Sequence, residues 1–123
     1  MKKVAIVGSR EFNEREFIED FIRSLGQVEI VSGGARGVDT IAEEVAKELG
    51  LPVTIFRPDF SGGYRVSAYH ERNKRIVDYS DEVHIFWYEP TSGSKSTLRY
   101  AREAGKPDYI HRKEIYKGDK GGL

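Results

Sequence analysis

Residues 28–39, VEIVSGGARGVD, join a short apolar run to an amphipathic segment through a loop that contains three glycines. The run at 28–31 is rich in β-branched residues, which is typical of a buried strand. Beyond the loop, apolar residues recur every three or four positions and predict a helix over residues 37–49: Val38, Ile41, Ala42, Val45, Ala46 and Leu49. The order of strand, glycine loop and helix is typical of one βα unit in a parallel sheet.

The same alternation continues on both sides of this unit. Short apolar runs predict four further strands, at residues 4–7, 53–56, 83–87 and 109–110. Helical spacing predicts three further helices, at residues 17–25, 69–79 and 94–104. Right-handed crossovers then produce an α/β fold, a Rossmann-like three-layer sandwich whose five-stranded sheet is mostly parallel and has helices on both faces.

The expected helix ends carry their own signals. Asn13 is the predicted cap of the first helix, with Glu16 in the capping-box position. Gly26, Gly50 and Gly105 each follow a helical segment and precede a strand, which is the position where a left-handed glycine ends a helix. These signals support the predicted element order.

The chain has 123 residues, the size of one domain, and 33% of them are charged. Twenty Lys and Arg balance twenty Asp and Glu, which disfavours a protein that holds long nucleic acid by bulk positive charge. The balance is uneven, because residues 1–56 carry a net charge of −3 and residues 57–123 carry +3. We therefore expect an anion site to draw its side-chain charge from the second half.

Several classes of protein are excluded by composition. The absence of cysteine excludes disulfides, thiol catalysis and Cys-ligated metal centres. The three histidines show no metal-ligand spacing, so no metal and no cofactor are expected. Apolar runs are too short for a membrane span or a signal peptide, which predicts a cytoplasmic protein without a membrane partner. Residues 1–111 are the expected domain, and residues 112–123 the expected C-terminal tail.

Ligands of such sheets bind beyond the carboxyl ends of the strands, where four segments are candidates for a binding site. The glycine loop precedes a helix, so its amides and the positive end of the helix dipole favour an anion. The first strand ends in Gly8-Ser9-Arg10, and the fourth leads into the hydroxyl-rich Thr91–Thr97. Residues 57–75 are the local basic stretch. Each segment also has a purely structural explanation, as a turn, a cap or a solvated helix face.

Together these segments predict a site for a phosphate group. The amides of residues 33–37 and the loop at 92–96 would hold the phosphate, and side chains from the first turn and the third helix would complete the site. The expected ligand-binding residues are Gly8, Ser9, Arg10, Ser32, Gly33, Gly34, Ala35, Arg36, Gly37, Asp39, Arg72, Asn73, Arg75, Ser92, Gly93, Ser94 and Ser96.

These motifs, in this order over about residues 3–111, resemble those of the SLOG superfamily. The resemblance rests on Gly8-Ser9-Arg10, on residues 32–39, on Arg72-Asn73-Lys74-Arg75-Ile76, and on Ser92-Gly93-Ser94 followed by Gly105-Lys106-Pro107. Within the superfamily, the chain is similar to the short YspA-like group and to the Rossmann-like core of the DNA-processing protein A family. The resemblance implies a Rossmann-like fold and a nucleotide-derived ligand.

The superfamily includes ligand sensors, single-strand DNA binders and phosphoribohydrolases, so three functions stay open. The first is a sensor or carrier that binds a nucleotide-derived phosphate at the carboxyl edge of the sheet. The second is an N-ribosyl hydrolase, in which Asp39 or Glu71 would replace the glutamate that the hydrolases have in the loop after strand four. The third is a single-strand nucleic-acid binder in which Tyr64 and Tyr69 stack on bases. A small molecule is the expected partner, with nucleic acid and a homodimer as the alternatives.

Overall fold

The computed structural model describes residues 1–114, in which five strands alternate with four helices. The strands are β1 (Lys3–Gly8), β2 (Glu29–Ser32), β3 (Val53–Ile55), β4 (Glu82–Trp87) and β5 (Asp108–Arg112). The helices are α1 (Arg15–Leu25), α2 (Val38–Glu48), α3 (Arg65–Tyr79) and α4 (Ser92–Glu103). The predicted Rossmann-like α/β fold is confirmed.

All five strands lie in one sheet of order β3-β2-β1-β4-β5, and every pair is parallel. The chain moves outward from β1 through β2 to β3 and then crosses back to place β4 on the other side of β1. The strand order therefore reverses between β1 and β4. Their carboxyl ends diverge there and leave a crevice at the edge of the sheet.

Each face of the sheet has its own hydrophobic core. Helices α1 and α2 cover one face, where Phe12 and Phe86 are the largest fully buried side chains. Helices α3 and α4 cover the other face, against Val7, Ile85 and Trp87. Because both faces are covered, the central strands are apolar on both sides, which explains why they read as continuous apolar runs rather than alternating ones.

Several element ends differ from the sequence prediction. The cap predicted at Asn13 is wrong: α1 begins at Arg15 without a side-chain cap, and Asn13 instead accepts a hydrogen bond from the Tyr88 hydroxyl at 2.8 Å. Helix α3 begins at Arg65, four residues earlier than predicted; the apolar residues of its first turn, Val66 and Ala68, are two positions apart, which is not helical spacing. The positive φ expected at the three glycines is confirmed, near +70° at Gly26, Gly50 and Gly105, but Gly26 has ψ −141° and is therefore not in the αL conformation predicted for it.

The C-terminal segment is ordered beyond the predicted domain boundary at residue 111. Arg112 ends β5, and the Lys113 ammonium pairs with Glu14 at 2.8 Å. The rest of the predicted tail, from residue 115 onward, lies outside the described residues. Within residues 1–114, none of the helices has the length and apolar character needed to cross a bilayer.

Candidate functional site

A cavity of about 480 Å³ opens at the carboxyl edge of the sheet, at the reversal between β1 and β4. Four segments line it: the turn after β1, the start of α2 with part of the glycine loop, the inner side of α3 and the first turns of α4. A smaller cavity of about 260 Å³ lies beside it over the glycine loop. Arg10, Ala35, Tyr69 and Arg72 line both, so the two cavities adjoin.

The structure brings most of the predicted ligand-binding residues to these two cavities. The large cavity is lined by Gly8, Ser9, Arg10, Ala35, Asp39, Arg72, Asn73, Ser92, Gly93, Ser94 and Ser96. The smaller one adds Gly33, Gly34 and Arg36. These residues come from three βα connections and from α3, which the parallel topology places side by side.

Three predicted residues line neither cavity. Ser32 is fully buried, and its hydroxyl donates to Glu43 at 2.6 Å. Gly37 has φ +77° and lies under the first turn, where an added Cβ would stand 2.5 Å from the carbonyl oxygen of Ser9. The Arg75 guanidinium lies over the Phe56 ring, 5.3 Å from its centroid. Their roles in this structure are therefore in shaping the loop and packing α3.

The glycine loop is held by acceptors within the protein. The Asp39 carboxylate oxygen Oδ2 accepts hydrogen bonds from the amides of Gly33 at 2.8 Å and Ala35 at 3.5 Å. The Gly34 amide donates to the Ser32 hydroxyl at 3.2 Å. An internal carboxylate therefore occupies the position at which a loop of this kind would hold a ligand anion.

Arg72 connects α3 to the same loop. Its buried guanidinium donates to the Gly33 carbonyl oxygen and, at 2.9 Å, to the Asn73 side-chain oxygen. An added Cβ at Gly33 would stand 2.8 Å from the Asp39 carboxyl oxygen and 2.9 Å from the guanidinium, so a side chain at this position would displace one or both groups. Asn73 accepts from Arg72, and its side-chain amide nitrogen has no acceptor among residues 1–114. Because every buried side-chain polar atom in these residues has a partner, this nitrogen is accessible, and Asn73 lines the large cavity.

Burial controls the ionisation of this cluster. Desolvation raises the pKa of Asp39 from 3.8 to about 7, although the Arg72 charge and the two loop amides act in the opposite direction. Burial likewise lowers the pKa of Arg72. Within residues 1–114 no direct ion pair joins the two side chains. Asp39 consequently changes its charge near neutral pH, at the wall of the large cavity.

The start of α4 is arranged differently from the glycine loop. Thr91 caps the helix by accepting from the Ser94 amide at 3.2 Å, so the structural explanation of this segment as a helix cap applies to Thr91. No acceptor in residues 1–114 takes the amide hydrogens of Ser92 and Gly93, and both residues line the cavity. This helix therefore presents open amides and its positive dipole end to the cavity.

Sequence reasoning left out several residues of the cavity wall. Tyr69, which the sequence offers only as a base-stacking residue for nucleic acid, lies on the same face of α3 as Arg72 and Asn73. His70 also lines the cavity, and its Nδ1 lies 2.9 Å from the Ser96 hydroxyl. The helical spacing of three and four residues back from Asn73 is the signal that would have found both.

The two acids considered for hydrolysis differ in position: Asp39 lines the large cavity, and Glu71 does not. Glu71 is exposed on α3 and lines neither cavity, so the candidate role at Glu71 finds no support in its position. Asp39 and Glu11 are the carboxylates at the large cavity among the described residues. Those residues contain no group of three side chains suited to hold a metal ion.

Crystal structures of other proteins share this fold. DNA processing protein A from Streptococcus pneumoniae is 23% identical, with a TM-score of 0.80 over 96% of this chain, which spans only 53% of that protein. DNA processing protein A from Helicobacter pylori, whose structure concerns its single-stranded DNA binding mode, is 26% identical, with a TM-score of 0.72 over 98% of this chain and 70% of that one. The protein TM1055 is 20% identical, with a TM-score of 0.70 over 88% of this chain and 72% of that one.

A comparison with curated proteins finds no match. A family model does match, and it covers residues 2–63, half of the chain. That stretch runs from β1 to the loop before α3, and it contains both the Gly8-Ser9-Arg10 turn and the glycine loop. The chain therefore belongs to the YspA, cpYpsA-related SLOG family.

Proposed function

We propose that this domain binds a nucleotide or a nucleotide-derived phosphate ester in the large cavity, as a sensor or carrier. The observation that supports the proposal is a set of donors that have no acceptor within residues 1–114 and that line one cavity: the amides of the exposed Ser92 and Gly93, and the side-chain amide of Asn73. Such donors can bond a ligand in place of water. A volume of about 480 Å³ is in the range of small-molecule sites.

The phosphate group belongs at the start of α4 rather than on the glycine loop. The loop amides at Gly33, Gly34 and Ala35 already donate within the protein, and the Asp39 carboxylate would repel a second anion there. At α4 the open amides, the helix dipole and the exposed Arg10 across the cavity all favour negative charge. Of the two segments expected from the sequence to hold the phosphate, the proposal thus keeps residues 92–96 and leaves out the amides of residues 33–37.

The nucleoside part of the ligand belongs against α3. Tyr69 offers an aromatic ring, and His70 and Asn73 offer polar groups that can accept or donate hydrogen bonds. Val7, Val66 and Ile76 supply the apolar wall. An aromatic ring, a few fixed polar groups and an apolar wall are what a base and a sugar require.

Gly93→Glu tests the location of the phosphate. An added Cβ at Gly93 meets nothing within 4 Å, so the fold accommodates a side chain there. A carboxylate at this position should weaken the binding of a nucleoside monophosphate at least about tenfold, because it repels the phosphate and screens the helix amides. Isothermal titration against the four common nucleoside monophosphates measures the effect.

Gly93→Gln is the matched control, because it adds the same bulk without the charge. Its affinity for the same nucleotide should stay within about threefold of the native value. Equal weakening by Glu and Gln would contradict the phosphate assignment and point to steric blockage. A native protein that binds no nucleotide at millimolar concentration would contradict the proposed function itself.

Single-stranded nucleic acid is the second candidate, favoured by the fold shared with the Helicobacter pylori protein, which binds single-stranded DNA. Two exposed aromatic side chains are available for stacking on bases: Phe60, which lines the smaller cavity and is 38% exposed, and Tyr64, which precedes α3 and is 77% exposed. Oligonucleotide binding should then weaken steeply as salt increases, whereas one phosphate held by amides depends on salt only weakly. Titrations at two salt concentrations separate the two candidates.

A further inference from the structure

The smaller cavity differs from the large one in the groups that supply its positive charge. Its floor is Gly33, Gly34 and Ala35, whose amides donate to Asp39 and Ser32 within the protein. Its walls carry Arg36 together with the shared Arg10 and Arg72. Any anion in this cavity would therefore be held by guanidinium groups rather than by backbone amides.

A fourth guanidinium reaches the same place. The Arg57 Nη1 atom would stand 2.7 Å from a Cβ added to Gly34, so this side chain lies directly over the cavity floor. Arg10, Arg36 and Arg57 are exposed, and none of them pairs with a carboxylate within residues 1–114. No carboxylate lines the smaller cavity.

Within residues 1–114, most arginines away from the smaller cavity have acidic partners; Arg65 and Arg75, which lie over the rings of Phe60 and Phe56, do not. Five other arginines pair with glutamate or aspartate: Arg15, Arg23, Arg99, Arg102 and Arg112. In a chain whose net charge is zero, cations without acidic partners gathered around one cavity raise the local potential there. The charge around the smaller cavity thus favours an anion there, and this charge does not come from the start of α4.

The boundary between the two cavities is aromatic. Tyr69 lines both of them, and the guanidinium carbons of Arg10 and Arg72 lie 5.9 and 5.7 Å from its ring centroid. Phe60 packs edge-on against this ring, with centroids 5.4 Å apart, and forms the far wall of the smaller cavity. A sugar or base that passes from one cavity to the other would cross the Tyr69 ring.

We infer that the ligand carries two separated phosphate groups, one at the start of α4 and the other among Arg10, Arg36 and Arg57, with its sugar or base at Tyr69. This inference rests on the proposed function, because it takes the first phosphate to lie in the large cavity. The class of ligand is a nucleoside bisphosphate or a short nucleotide chain. The same pair of phosphates occurs in a free small molecule and in consecutive nucleotides of a single strand.

The experiment compares ligands that differ by one phosphate. Isothermal titration of the full chain would use the 5′-monophosphates and the 3′,5′-bisphosphates of adenosine, guanosine, cytidine and uridine. For the best base, the bisphosphate should bind at least about tenfold more tightly than the monophosphate. In the Arg36→Gln/Arg57→Gln variant this ratio should fall to about one, because the second phosphate loses its charge partners.

Lys47→Gln/Lys74→Gln is the control, because it also removes two exposed cations and leaves both cavities intact. It should retain the native ratio, and thermal unfolding should show that both double variants are folded. A native ratio near one, or a ratio that the arginine variant leaves unchanged, overturns the inference. If monophosphate binding is still weakened by Gly93→Glu in that case, the proposed function remains supported. If the protein binds no nucleotide at all, both the proposed function and the two-phosphate inference are wrong.

A third set of titrations identifies the source of the two phosphates. A 5′-phosphorylated single strand of about ten nucleotides should bind no more tightly than the bisphosphate if the natural ligand is a free small molecule. Binding at least about tenfold tighter, lost in the arginine variant, supports the two-phosphate site with a strand as its ligand. Tight strand binding that persists in the arginine variant places the strand elsewhere and overturns the inference.

Discussion

Gly8→Ala is expected to lower the free energy of unfolding by about 3–5 kcal/mol, the largest effect of any single methyl group added to this domain. A Cβ at Gly8 would stand 2.0 Å from the carbonyl oxygen of Phe86, the residue opposite it on β4. That carbonyl also accepts the Ser9 amide at 3.0 Å. Because the obstacle is backbone in the middle of the sheet, the contact can be relieved only by separating β1 from β4.

Urea unfolding followed by circular dichroism measures the change. Gly62→Ala is the control, since an added Cβ at Gly62 meets nothing within 4 Å and its φ is not positive, and it should change stability by less than about 0.5 kcal/mol. A Gly8→Ala protein within about 1 kcal/mol of the native one would mean that the two strands do not approach as closely as described here.

Asp39→Asn should make the domain more stable at pH 8, by on the order of 3 kcal/mol, and leave it almost unchanged near pH 4. Burial raises the pKa of Asp39 to about 7 in the folded protein, against 3.8 in the unfolded chain. Between these values the unfolded chain has released the proton that the folded protein keeps. Native stability therefore falls as pH rises, by about 1.4 kcal/mol per pH unit, and levels off above about pH 7.

The asparagine variant lacks this dependence, because its side chain is neutral throughout and its oxygen can still accept the Gly33 amide. Unfolding curves at several pH values between 4 and 8 measure the difference between the two proteins. Asp59→Asn is a control of opposite sign: the Ser61 amide lowers the pKa of Asp59, so that carboxylate stabilises the fold above its unfolded pKa and loses this effect in acid. Parallel pH profiles for the native protein and Asp39→Asn would refute the assignment.

The fold could be predicted because its determinants are local. The apolar runs of β1, β2 and β4 and the spacing in α2 follow directly from burial on both faces of a parallel sheet. The predicted cap at Asn13 failed because a long-range partner, the Tyr88 hydroxyl, takes its side-chain oxygen. No local pattern reports a contact between residues so far apart in the chain.

The sequence indicated most of the residues that meet at the candidate site, but it did not indicate the role of each residue. Strand ends converge in any parallel sheet, which is why Ser9, Asp39 and Ser94 meet at one cavity. The glycine loop looks like an anion cradle from its composition alone, and only the structure shows that Asp39 accepts from its amides. The sequence likewise did not identify Arg57 as a site residue, because its position over Gly34 depends on the path of the chain after β3.

Because the glycine loop is held by hydrogen bonds within the protein, it loses its conformational entropy when the protein folds and not when a ligand binds. A loop organised by its ligand must give up conformational freedom at each binding event, and the affinity is reduced accordingly. Here Asp39 and Ser32 accept hydrogen bonds from the loop amides in the folded protein, and Arg72 donates to the Gly33 carbonyl oxygen. For the ligand binding proposed above, we therefore expect the empty and occupied forms to share one backbone at this edge, with selectivity that depends on side-chain chemistry rather than on closure.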